Sequence, residues 1–224
     1  MSRALAVLCL GAALSGCVAA DVPRDPDREL ARCVEAWEEA KEEQAQPKDR
    51  GEVPDPTHLQ GRFERLALEF PEHEGTLYAN AVVASDTGQP VKAQQYLDRL
   101  FQRQPVHPEG AVLRARLAVH DGNLPFARRL LERQVTLVPD HPGLREALAG
   151  VLFLDGDLRA ARAELVIAAR LGAPAWRVAY HLGLVAEGLG ELDEAARHYQ
   201  AAVEKNPSHE PARARLIGLS ARRS

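Results

Sequence analysis

Aromatic residues are scarce, at 5% of 224 residues, and β-branched residues nowhere fall into alternating runs, which removes the usual basis for a sheet. Cysteine is scarcer still. Of three, Cys9 lies inside the N-terminal apolar run, Cys17 lies at its end, and Cys33 is the only thiol in the body of the chain. A single body thiol excludes an internal disulfide, a C-x-x-C redox pair and a cysteine-based zinc site. The N-terminal apolar stretch, Ala4 to Leu14, has eleven residues, far short of the ~20 that a mature membrane-spanning helix needs. Net charge is only −4 with the basic residues scattered, so electrostatics gives no ground for a nucleic-acid partner. There is no G-x-S-x-G elbow, no H-E-x-x-H helix and no Cys/His pair on a shared face. No catalytic residue, metal or cofactor is therefore expected, and the chain is expected not to be an enzyme.

Ala, Leu, Arg and Glu are abundant instead, and they favour helix. The N-terminus is laid out as a signal peptide over residues 1–16, with Arg3 before the apolar run and the small residues Ser15 and Gly16 after it. The run closes in Leu14-Ser15-Gly16-Cys17, which resembles the lipobox of bacterial lipoproteins. That resemblance implies cleavage after Gly16 and acylation of Cys17. Several acyl chains would hold a membrane durably, since each buried methylene contributes about 0.8 kcal/mol. Val18 rather than Asp follows the cysteine, which by the enterobacterial sorting rule implies the outer membrane, facing the periplasm. The competing expectation is an ordinary signal peptide cut near Ala19-Ala20, with Cys17 discarded. Residues 17–27, with Pro23 and Pro26, are expected to form a short tether.

The body of the chain repeats. Gly88, Gly122, Gly156 and Gly190 follow one another at 34 residues, as do Ala93, Ala127, Ala161 and Ala195. Pro71, Pro105, Pro139 and Pro207 keep the same period, with the one missing proline displaced to Pro174. Each unit is expected to be a helix, a turn and an antiparallel helix. The glycine ends the first helix in a left-handed C′ position, the alanine lets two helices cross closely, and the proline stops the second. No such unit can bury its apolar face alone, so stacking must supply the core.

Period and residue types resemble the tetratricopeptide repeat. The unit from Trp176 to His209 is most similar, with Leu182-Gly183, Ala186, Gly190, Ala195, Tyr199, Ala202 and Pro207 at the family's places. The unit 142–175 keeps Leu148-Ala149, Gly156, Ala161, Leu165 and Ala168. The units 74–107 and 108–141 put Asn80-Ala81 and Arg114-Ala115 where the family has Leu-Gly, a departure that bears on how closely their helices pack. The resemblance implies an all-α fold, a right-handed α-solenoid of antiparallel helix pairs. Residues 28–73 are expected to form a divergent first pair. Leu30, Cys33, Val34 and Trp37 lie on one face of its first helix, Leu59, Phe63 and Leu66 on its second, and a loop is inserted at 46–57. Residues 210–224 are expected to form a closing helix, with Ala212, Leu216 and Leu219 inward.

Four Pro-x-His triplets, ending at His73, His107, His141 and His209, invite a metal reading. Three of the four lie one repeat apart, which is two helix layers of about 8–10 Å each and too far for two of these histidines to sit ~2 Å from one ion. They are expected to cap the helices that follow. Cys33, Trp37 and Trp176 are expected to pack, and the run Glu35–Glu43 to form a solvated helix face.

In the repeat family the concave face is lined by the second, fifth, ninth and twelfth residues of a unit. Carried over, this implies a peptide groove of Tyr78, Val82, Val112, Arg116, Val119, Glu146, Phe153, Arg177, Tyr180 and Leu184. The places of the chaperone-binding carboxylate clamp hold neither Lys nor Asn. The expected partner is thus an extended or helical protein segment in the groove, with the membrane reached through the lipid. The resemblance to small tetratricopeptide lipoproteins implies a scaffold or assembly factor for an envelope complex, such as a type IV pilus secretin. An adaptor that recruits or regulates a cell-wall hydrolase is the alternative.

Overall fold

A computed structural model describes residues 24–45 and 56–221. The lipobox, Cys17, most of the tether and most of the expected inserted loop lie outside the described residues. Among those described, eleven α-helices and no strands occur. They are α1 (Pro26–Ala45), α2 (Pro56–Glu69), α3 (Glu74–Asp86), α4 (Pro90–Arg103), α5 (Pro108–His120), α6 (Leu124–Leu137), α7 (Pro142–Leu154), α8 (Leu158–Arg170), α9 (Ala175–Gly188), α10 (Leu192–Lys205) and α11 (Glu210–Ala221). The first two residues of α1 come from the expected tether, and Pro56 and Thr57 of the expected loop open α2. No described helix is long and apolar enough to cross a membrane.

Every helix packs on the next in the chain, and first helices of successive pairs also meet, α1 with α3, α5 with α7 and α7 with α9. This is the contact pattern of an α-solenoid, in which each unit touches only its neighbours. The periodic residues explain the joints. Gly88, Gly122, Gly156 and Gly190 take φ between 71° and 84°, a left-handed conformation that a β-carbon disfavours. The next residue's amide then reaches back to the helix end, as from Gln89 to the Ala84 carbonyl at 2.8 Å, which satisfies an otherwise orphaned acceptor. Ala93, Ala127, Ala161 and Ala195 are all completely buried.

The junctions between pairs are capped by histidine. His73, His107, His141 and His209 each accept, on Nδ1, the backbone N–H of Thr76, Gly110, Leu144 and Ala212, at 2.9–3.3 Å. An accepting Nδ1 places the ring proton on Nε2. That nitrogen meets Asp27 at 3.2 Å in His73 and Glu109 at 3.1 Å in His141. The proline carbonyls of these turns are also taken up, Pro71 by Arg99 Nη2 at 2.7 Å and Pro105 by the buried Gln134 Nε2 at 2.8 Å. The turn before α9 differs. Gly172 takes φ 91° and Pro174 is the N-cap residue, with no side-chain cap.

The two departures from the family's Leu-Gly pair turn out to be used. Asn80 is buried, and its Nδ2 donates to the Phe63 carbonyl at 3.0 Å, tying α3 to α2. The Arg114 guanidinium lies 5.2 Å from the centre of the Phe126 ring and 3.5 Å from Asp98. The following alanines, Ala81 and Ala115, are buried, as is Ala149. Close packing is therefore kept. In the divergent first pair, Cys33 and Trp37 of α1 are buried with Phe63 of α2, and the Trp37 and Phe63 rings meet edge to face at 6.1 Å.

Candidate functional site

Three first helices, α5, α7 and α9, stand side by side along the middle of the array and enclose an open groove of about 530 Å³. From α5 come Val112, Arg116 and Val119, spaced four and three residues apart and so on one face of the helix. From α7 come Gly143, Glu146, Ala147, Gly150 and Leu154, and from α9 Arg177 and His181. The floor is apolar because Ala115 of α5 and Val151 of α7 are buried there together with Leu131 of the second helix α6. Leu154, at the groove's edge, is 56% exposed, a large apolar side chain left facing solvent.

Glu146 is the groove's buried charge. Arg177 grips it with Nε at 2.5 Å and Nη2 at 2.7 Å, and His181 Nδ1 stands 3.3 Å away. Burial alone pushes its carboxyl up, but the hydrogen bonds from His181 and Arg177 outweigh that and hold it below the ordinary value. The pair bridges α7 and α9, so it also fixes one unit against the next. Gly143 and Gly150 leave the α7 side of the groove low. A β-carbon at Gly150 would have nothing within 4 Å.

Of the ten groove residues expected from the sequence, Val112, Arg116, Val119, Glu146 and Arg177 come together here. The others lie elsewhere. Tyr78 packs with Val82 on the core around α3 and α4, its ring 5.0 Å from that of the capping His107. Burial pushes the Tyr78 phenol up, assisted by Glu109 and opposed by Arg116. Phe153 packs against the central core. Tyr180 and Leu184 turn towards Tyr199 and the closing helix, with Tyr180 4.7 Å from the His209 ring. Tyr180 lines a separate recess of about 450 Å³ with Glu187 and residues of α11. There Glu187 accepts from the Tyr199 hydroxyl at 2.8 Å and pairs with Arg215 at 3.2 Å.

His181 and Leu154 enter the groove although the family positions did not select them. Each follows an expected residue, Tyr180 or Phe153, by one place. Helical periodicity carries the signal that the fixed list missed, since His181 lies four residues after Arg177 and Leu154 four after Gly150, on the same helix faces. Among the described residues no three metal-binding side chains cluster.

Comparison with known proteins agrees with the fold. Residues 78–142 and 176–209 each match a family model described as tetratricopeptide repeat. Among solved structures, a thermophilic tetratricopeptide protein of Thermus thermophilus is similar, with a TM-score of 0.69 at 21% identity, over 88% of this chain and 100% of that one. A tetratricopeptide repeat protein from Parabacteroides merdae gives 0.62 at 18% identity, over 87% and 80%. The MamA protein from Desulfovibrio magneticus, residue 41 to its end, gives 0.60 at 15% identity, over 81% and 97%. At these identities the likeness concerns the fold. No curated protein matches the chain.

Proposed function

The chain is a tetratricopeptide-repeat protein, and from this premise we propose that it holds a partner protein in the α5–α7–α9 groove while an acylated Cys17 ties it to the cell envelope. Arrays of this kind are protein-interaction scaffolds and as a rule not catalysts. The observation that carries the groove reading is the pairing of an apolar floor and an exposed Leu154 with a few fixed charges. Apolar area supplies contact, and the charges set register. The envelope reading rests on Leu14-Ser15-Gly16-Cys17 following directly on the apolar run. A lipid-anchored scaffold of this kind serves the assembly of an envelope complex, such as a type IV pilus secretin.

Two substitutions separate the parts. Cys17→Ser should move the protein from the membrane fraction to the soluble fraction; a protein that stays in the membrane fraction without acylation defeats the anchor. Leu154→Glu should leave the helical circular dichroism unchanged and abolish cross-linking of the envelope partner. Unchanged cross-linking would place the binding face elsewhere. If the protein captured at the groove is a cell-wall hydrolase instead of an assembly component, the adaptor reading takes precedence.

A further inference from the structure

The charges of the groove differ in what they already hold. Glu146 is buried and is answered by both Arg177 nitrogens and by His181, so those three side chains satisfy one another. Arg116 lines the same groove from α5, is exposed, and has no ion pair among the described residues. Its charge reaches Tyr78 on α3, but a neutral phenol is no counter-ion. The groove therefore carries two guanidinium groups against one carboxylate, and the unmatched one is Arg116.

Any segment that covers this groove must also cover Arg116. Val112 precedes it by one helical turn and Val119 follows it by nearly one, both on the same lining, with Leu154 exposed on α7. A wholly apolar segment would strip water from the guanidinium and return nothing, which is costly. A carboxylate returns paired, charge-assisted hydrogen bonds in a geometry that suits arginine. The α7 side offers room for it, since Gly150 has no side chain and nothing within 4 Å of where one would start.

Resting on the groove reading above, we infer that the partner segment presents an Asp or Glu side chain to Arg116, flanked by apolar residues that cover Val112, Val119 and Leu154. Arg116 is then the residue that selects the partner, and the apolar lining supplies most of the contact. The internal Glu146–Arg177 pair keeps Arg177 from competing for the same carboxylate.

The test is to pan a random peptide library displayed on phage against the full chain, and to synthesise the peptides recovered. The recovered peptides should share an acidic residue among apolar ones. Changing that residue to Gln, or Arg116→Ala, should each weaken binding about tenfold or more, and the two together should weaken it no further. Arg116→Glu should recover a peptide whose acid is replaced by Lys. Peptides that lose binding with Leu154→Glu yet ignore Arg116→Ala overturn this inference and leave the groove reading standing. If no recovered peptide is sensitive to Leu154→Glu, both are overturned. Both residues are exposed, so circular dichroism and melting of the variants should match the parent.

Discussion

In the α9–α10 pair a tyrosine, Tyr199, lies where the three preceding pairs carry Leu97, Leu131 and Leu165, and Gly183 stands where they carry Ala81, Ala115 and Ala149. All eight of these positions are buried. The Tyr199 ring leaves so little space that a β-carbon on Gly183 would lie 2.5 Å from its Cε1. A large residue on the second helix thus requires glycine on the first, and a leucine admits alanine. The tyrosine also does something the leucines cannot. Its hydroxyl donates to Glu187, which pairs in turn with Arg215 of α11, so the last pair is fastened to the closing helix through a buried ring. The middle pairs meet another repeat on both sides.

Exchanging these parts should give the largest effect. Gly183→Ala drives a methyl group into a rigid, fully buried ring, and should lower stability by about 2–3 kcal/mol, as overpacking does. Adding Tyr199→Leu should recover most of that loss, because the last pair then carries the leucine and alanine of the others. Urea unfolding of the two single variants and the double variant measures the coupling. A neutral Gly183→Ala would show that α9 and α10 can move apart and that the pairing carries no weight.

The turns between pairs sharpen the same contrast. His107 caps α5, whereas Pro174 before α9 offers no side-chain cap. His107→Ala should cost about 1 kcal/mol, and His107→Asn should keep most of the stability, since asparagine can accept the same N–H. Melting temperatures of the two variants decide this. An equal loss in both would mean that the contact of His107 with the Tyr78 ring, at 5.0 Å, matters more than the cap.

The smallest effect belongs to the pair that joins the third and fourth repeats. The Glu146 carboxyl is held below its ordinary 4.5 by its partners once burial is overcome. Its folded-state value is depressed, so its contribution is fully present above the unfolded-state value and is lost as pH falls through the folded one. The stability difference between the parent and Glu146→Gln should be constant near neutral pH and shrink below about pH 4.5, as followed by urea unfolding at stepped pH. A difference that persists into stronger acid would mean that the side chain acts through shape alone.

Most of the fold was legible because its signals are local. A glycine that must take positive φ, a proline that cannot continue a helix and an alanine between close helices each act within a few residues. Repetition at 34 residues multiplies them. The capping histidines were legible for the same reason. Half of the groove was not. Tyr78 and Tyr180 occupy the fifth place of their units as Val112 and Glu146 do, yet their rings turn to His107 and His209. An aromatic ring gains more by burying itself against a neighbouring cap than by facing solvent, and that choice depends on what the next unit presents.

The sequence by itself determined that the array is built of helix pairs joined by turns at a 34-residue period, and which small residues allow the pairs to stack, because backbone sterics and apolar periodicity leave few other solutions. The tertiary structure alone decided which lining residues share one groove, that Glu146 is answered from within while Arg116 has no ion pair among the described residues, and that the end of the array is closed through Tyr199 and Glu187 onto α11. The reason is physical. Local rules set one chain segment at a time, whereas the pairing of charges and rings depends on side chains brought together across helices from different repeats.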